Sequence, residues 1–236
     1  MTPLKNWDNK TWLSSHKYIH LFNSFLLKQV KLDNNSRILD IGCGRGKILA
    51  NLSFKLKLLN RPIGIDIENH KDKSKKIIFK KTDAFRFVSK TKITFDLILI
   101  KQTIHLLKKK QIIKLLSVCK KKIKPNGKII IFNLDLKKNE IPTFYLMKKK
   151  LKTSIEKDKK LFDFILKHDS KIVIKKFIYK VIISKSKYLK MISNRYISTL
   201  LNFNDEQIKN GTDEIKNNYG NELKFKDRLI CFILKE

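Results

Sequence analysis

The sequence predicts an α/β fold in which helices alternate with the strands of a mainly parallel sheet. Three observations predict it. Apolar runs at 38–41, 63–67, 77–79, 95–100 and 128–134 are separated by stretches of helical periodicity, and this alternation demands parallel order with right-handed crossovers. The run Phe95-Asp96-Leu97-Ile98-Leu99-Ile100 is almost unbroken, as in a strand covered on both faces. Finally, three of the seven glycines, Gly42, Gly44 and Gly46, fall at alternate positions where an apolar run meets a helical pattern. Glycines there let the backbone turn sharply and come close to a ligand.

The chain is 236 residues long and 42% hydrophobic, enough for one domain spanning 1–236 with a sizeable core. Residues 10–30 carry Trp12, Ile19, Phe22, Leu26 and Val30 at helical spacing, so an amphipathic helix precedes the first strand. Asp33-Asn34-Asn35-Ser36 is a turn, and strand 1 covers 37–41. A helix over 47–59 follows the glycine loop and ends at Asn60-Arg61-Pro62. Strand 2 covers 63–67, with Asp66 near its end, 20 residues after Gly46. That is where nucleotide-binding α/β folds place an acid for ribose hydroxyls. Strand 3 covers 77–83, and a helix begins at Ala84.

After the strand at 95–100, the chain runs Lys101-Gln102-Thr103-Ile104-His105 into a helix start. The next helix shows Ile112, Leu115, Leu116, Cys119 and Ile123 on one face, a core stripe. Lys124-Pro125-Asn126-Gly127 is a turn into strand 5 at 128–134. Beyond it the pattern gives a helix over 140–168, a strand over 171–184, a helix over 188–219 and a final strand over 225–234.

The glycine spacing selects the ligand. A dinucleotide fingerprint would need glycine at position 47, where Lys47 stands. The motif present is Asp40-Ile41-Gly42-Cys43-Gly44-Arg45-Gly46, and it resembles the first motif of class I S-adenosylmethionine-dependent methyltransferases. The resemblance covers residues 10–135 and the closing strand. It implies a Rossmann-like seven-stranded sheet, mostly parallel with the last strand antiparallel, carrying helices on both faces and a helical cap. It also implies S-adenosyl-L-methionine as cofactor, with Gly42, Cys43, Gly44 and the loop amides holding its amino-acid end and Asp40 oriented toward it. Asp66 and Ile67 would then meet the ribose, Asp83 and Ala84 the adenine, Lys101 would border the methyl group, and Tyr18 on the lid helix would approach the amino-acid end. Residues 1–30 become a lid helix and 36–135 the cofactor-binding core. About 40 residues separate the last two strands, so 140–168 and 186–222 form an expected substrate cap, closed by the strand at 225–235.

The family's fourth motif falls at 101–107, without the Asn/Asp-Pro-Pro-aromatic or Pro-Cys signatures of nucleic-acid base methylases. Gln102 and His105 are the candidate catalytic residues, because a histidine near neutral pKa can take a substrate proton. His105 has an equally ordinary reading as a structural helix-start residue. In the cap, Tyr188 and Arg195 are candidate substrate contacts, since an Arg in a Lys-rich chain often marks a carboxylate or stacking site. An ion pair between Arg195 and Asp205 or Glu206 is the bland alternative.

Net charge is +33, yet only six of the 54 basic residues are Arg. Lys, Ile and Asn abound together, as A/T-rich codons would produce, and the lysines are spread along the chain rather than gathered on one element. The expected partner is therefore a small-molecule methyl acceptor, with no specific nucleic acid and no membrane. RNA or protein methylation using the basic surface is the alternative, and a non-catalytic cofactor-binding scaffold is a third reading. No apolar run reaches the roughly 18 residues that span a bilayer. The three cysteines lack metal-type spacing, so no metal site is expected and a reduced, cytoplasmic location is.

Overall fold

The computed structural model describes residues 9–135, 138, 140–168 and 171–235. Among these residues seven strands form one sheet: β1 (Ile38–Ile41), β2 (Ile63–Asp66), β3 (Ile78–Lys81), β4 (Phe95–Lys101), β5 (Ile123–Leu134), β6 (Val173–Ser184) and β7 (Glu222–Leu234). Their order is β3-β2-β1-β4-β5-β7-β6. β1 to β5 run parallel, while β7 is antiparallel to both β5 and β6. This is the expected Rossmann-like arrangement. Strand order reverses between β1 and β4, and such a switch point opens a crevice at the carboxyl ends of the strands.

Among the described residues seven α-helices flank the sheet: α1 (His16–Leu27), α2 (Lys47–Leu56), α3 (Ala84–Lys90), α4 (Lys109–Lys120), α5 (Tyr145–His168), α6 (Lys185–Ser193) and α7 (Asp205–Asn218). Because side chains alternate along a strand, the sheet divides the interior into two cores. Leu97, Leu99, Ile130 and Phe132 face one side with residues of α1, α2, α6 and α7. Ile98, Ile100, Ile129 and Ile131 face the other side with residues of α4 and α5.

α5 belongs to both cores. Met147 and Leu151 pack in the first, and Leu161, Phe162 and Ile165 in the second. The helix thus passes from one face of the sheet to the other just after the chain leaves β5, which puts the expected cap segment 140–168 across the end of the sheet. α1 is a packed layer: Asn23 donates to the Ile48 carbonyl at 3.1 Å and to Asn51 at 2.8 Å, tying it to α2.

Three expectations change. Ile123 does not continue the α4 stripe. It begins β5, whose residues 123–127 include the Pro125-Asn126-Gly127 turn, with a bulge opposite Phe95 and Leu97. The helix expected over 188–219 is two helices, because Arg195 adopts φ 48 and Asn204 caps α7 with Gln207 in a reciprocal capping box. His105 lies on a single 3-10 turn, Ile104–Leu106, ahead of α4. Among the described residues no helix is long and apolar enough to cross a membrane.

Candidate active site

β1 delivers Asp40 and the glycine loop to the switch point. Gly42, Gly44 and Gly46 adopt φ 76, 53 and 69, left-handed values that side chains disfavour. A Cβ on Gly42 would lie 2.0 Å from Thr103 Oγ1, so glycine also lets the loop after β4 close onto the loop after β1. Asp40 is 3% exposed, and its Oδ1 has no partner. Burial pushes its carboxyl up to about 7, against the pull of the Lys101 charge and with a push from Asp66. A buried carboxyl oxygen without a donor is costly, and packing alone gives no reason for one here.

The loop amides depart from the expectation that they hold a ligand. Gly42 and Cys43 N–H both donate to the Ile65 carbonyl at the end of β2, at 2.8 and 3.1 Å. Gly44 N–H donates to Asp66 Oδ2 at 2.8 Å, and Gly46 N–H to the Cys43 carbonyl at 2.9 Å. These bonds fix the loop against β2, so the glycines contribute backbone shape. The Cys43 side chain fills space against Gly64, where an added Cβ would meet its Sγ at 2.7 Å.

Asp66 ends β2 with both carboxylate oxygens already accepting, Oδ2 from Gly44 N–H and Oδ1 from Glu68 N–H at 3.0 Å. Each oxygen keeps a further lone pair. Asp83 caps α3 through Oδ1, which accepts from Arg86 N–H at 2.9 Å. Ala84 follows as the first residue of α3. Ile67 and Phe85 stand exposed beside these two acids.

At the end of β4, Lys101 is buried, with its ammonium 5.4 Å from the Tyr18 ring centroid and 5.5 Å from that of Phe22. Its charge acts on both Asp40 and Asp227. Asp227, on β7, is buried and accepts from Trp12 Nε1 at 3.0 Å. Tyr18 is fully buried among Phe22, Phe177 and Tyr179, and its hydroxyl has no partner.

Gln102 carries a strained φ of 56. Its N–H donates to the Phe132 carbonyl at 2.8 Å, and its Nε2 is buried without a partner. His105 Nδ1 lies 3.1 Å from Asn133 Oδ1. Burial lowers the basicity of the His105 ring, the Asn133 bond opposes this, and the Lys157 charge on α5 lowers it further.

Comparison with known proteins fixes the class. A family model described as a methyltransferase domain matches residues 14–143. The chain belongs to this methyltransferase family. No curated protein matches it significantly. Its fold is shared with solved methyltransferases of low identity. The plantazolicin methyltransferase BpumL in complex with SAH is 20% identical over 98% of this chain and 88% of that one, with a TM-score of 0.54. A putative methyltransferase from an antibiotic biosynthesis pathway of Anabaena variabilis is 13% identical, covering 90% and 96%, with a TM-score of 0.57. A SAM-dependent methyltransferase from Archaeoglobus fulgidus is 21% identical, covering 92% and 94%, with a TM-score of 0.51.

In this methyltransferase, the structure brings Asp40, the glycine loop, Asp66 and Lys101 together at the carboxyl ends of β1, β2 and β4, with Tyr18 against Lys101. Two expected substrate residues have structural work instead. Tyr188 is wholly buried, donating its hydroxyl to the Pro142 carbonyl at 2.6 Å. Arg195 donates to Asp205 Oδ1 at 2.6 Å and to the Phe203 carbonyl at 3.2 Å, bridging the gap between α6 and α7. Sequence reasoning passed over Asn133 and Asp227. Both sit at inward positions of otherwise apolar alternations, Ile129-x-Ile131-x-Asn133 and Leu223-x-Phe225-x-Asp227-x-Leu229. A polar residue breaking an inward period was the available signal.

Proposed function

We propose that the chain transfers the methyl group of S-adenosylmethionine to a protic small molecule. The buried, unpartnered Asp40 Oδ1 beside three left-handed glycines carries this reading. S-adenosylmethionine supplies a methyl group activated by its sulfonium. Asp40 takes the ammonium of the cofactor's amino-acid end, Asp66 offers its spare lone pairs to the ribose hydroxyls, and Asp83 accepts from the adenine amino group. Ile67 and Phe85 flank the base, and burying them there would cover apolar surface now exposed. These acids also suit a cationic donor.

The acceptor is held for in-line attack, and His105 takes its proton, with Gln102 beside it. Positioning and exclusion of water supply most of the acceleration. α5 crossing the sheet end and acting on His105 through Lys157 supports an enclosed, small acceptor. The three free cysteines fit the reducing cytoplasm.

The test is methyl transfer from labelled S-adenosylmethionine to a desalted small-molecule extract, and separately to RNA and protein fractions. Label in the small-molecule fraction supports the reading. Label in RNA or protein, with a steep loss of activity as salt rises, contradicts it.

A further inference from the structure

We propose that Asn133 is a positioning residue that holds His105 as its Nδ1–H tautomer, leaving Nε2 to accept the proton of a hydroxyl or amine acceptor. The inference rests on the reading of His105 given above and deepens it. Asn133 lies on β5, paired with β4 so that Phe132 stands opposite Lys101. Its side chain therefore meets the loop that follows β4. Asn133 is 1% exposed and follows Ile129 and Ile131 on the inward face. Burying a carboxamide there is costly unless it is bonded, and packing alone would favour an aliphatic residue. Its Oδ1 lies 3.1 Å from His105 Nδ1, and its Nδ2 is buried without a hydrogen-bond partner.

With Oδ1 rather than Nδ2 turned to the ring, the amide can only accept, and the proposed tautomer follows: Nδ1 carries the proton and Nε2 the lone pair. The ring cannot swing freely. It sits on a 3-10 turn closed by Leu106 N–H to the Thr103 carbonyl and Leu107 N–H to the Ile104 carbonyl. Burial and Lys157 from α5 keep the ring neutral near pH 7, and the neutral carboxamide on β5 opposes this only weakly. A carboxylate at 133 would instead favour the protonated ring, which cannot act as a base.

The step balances. The acceptor heteroatom forms a bond to the methyl carbon, and the carbon–sulfur bond breaks with its electron pair remaining on sulfur. The acceptor proton passes to His105 Nε2, giving imidazolium and S-adenosylhomocysteine. The requirement for a base selects acceptors that are protonated at neutral pH, hydroxyls and amines above carboxylates.

Nitrogen-15 NMR of histidine-labelled protein tests this, with His105→Gln identifying the signal. The wild type is expected to show neutral His105 protonated on Nδ1 between pH 6 and 8. Asn133→Leu should shift the ring toward the Nε2–H form and lower kcat at least about tenfold on the labelled extract, while KM for the methyl donor stays within about twofold. Asn133→Asp should retain Nδ1–H and raise the ring pKa by about one unit or more, moving the acid limb of the kcat profile upward. This second variant, and the wild-type spectrum itself, keep the test decisive if the Leu variant does not fold. A wild-type ring protonated on Nε2, or an Asn133→Leu enzyme with unchanged tautomer or unchanged kcat, overturns the proposal. Absence of S-adenosylhomocysteine binding to the wild type overturns the function reading while leaving the tautomer result standing.

Discussion

Trp12 donates its indole N–H to Asp227 Oδ2 at 3.0 Å, joining residues 215 apart in the sequence. The bond closes the chain on itself, tying the segment ahead of α1 to the middle of β7. Trp12 also packs edge-on against Tyr196 and Phe225, with centroids 5.4 and 5.2 Å away. Asp227 is buried, so desolvation pushes its carboxyl up, while the Trp12 bond and the Lys101 charge hold it down. Trp12→Phe keeps most of the packing and strands the carboxyl. It should cost about 1–3 kcal/mol and lower Tm by several degrees, about 2–4 °C per kcal/mol for a chain of this size. Asp227→Asn, which keeps an accepting oxygen and removes the charge, should lose less. Equal Tm for Trp12→Phe and wild type in calorimetric scans would contradict this account.

Asp40 gives a pH dependence with a defined sign. Its folded pKa, about 7, lies above the ordinary carboxyl value of 3.8. The folded state therefore binds more protons than the unfolded state between these values. The contribution of this group to stability is fully present below the unfolded pKa and is lost as pH rises through about 7. Cofactor binding has the opposite demand, since an ammonium needs the carboxylate. Affinity for S-adenosylmethionine should fall below pH 7, approaching about tenfold per unit, and binding there should release a proton. Titrations in buffers of different ionisation enthalpy measure the release, and Asp40→Asn should abolish it. A pH-independent wild-type affinity from pH 5.5 to 8 would remove Asp40 from this role.

The contact of Gly42 with Thr103 makes a third prediction. Gly42→Ala meets both a left-handed φ of 76 and Thr103 Oγ1 at 2.0 Å. Left-handed backbone alone costs about 1–2 kcal/mol for a residue with a Cβ, and the clash adds to it. The variant should lose stability and bind cofactor at least about tenfold more weakly. Adding Thr103→Ala should restore part of the stability, because it removes the Oγ1 and Cγ2 contacts at 2.0 and 2.7 Å and leaves the Cβ contact at 2.8 Å and the backbone strain. No recovery in the double variant, read by Tm and calorimetry, would place the loss elsewhere.

The glycine loop was legible in the sequence because three left-handed turns can hardly be built otherwise, and spacing distinguished it from a dinucleotide loop. The parallel strands were legible because Leu97 to Ile100 are covered on both faces and therefore carry no alternation. What failed was decided by contacts between distant segments. Nothing local to Ile123 says that it pairs with Phe95 rather than extending α4. Arg195 and Asn204 break a helical pattern whose apolar period continues across the break, and Tyr188 is buried by Trp12, which precedes it by more than half of the chain. The bonds of the loop amides were not legible because their acceptors, the Ile65 carbonyl and the Asp66 carboxylate, lie on another strand. Asn133 and Asp227 were missed because a lone polar residue in a strand pattern reads as a surface position until its register is known.

The central claim is that the crevice edge made by Asp40, the glycine loop and Asp66 holds S-adenosylmethionine. Calorimetric titration with S-adenosylmethionine and with NAD, on wild type and on Asp66→Ala, tests it most directly. The variant loses both the proposed ribose acceptor and the Gly44 N–H anchor at 2.8 Å. The account predicts micromolar binding of S-adenosylmethionine alone, weakened at least about tenfold, or about 1.4 kcal/mol, by Asp66→Ala. Preference for NAD, or equal affinity in the variant, would contradict it.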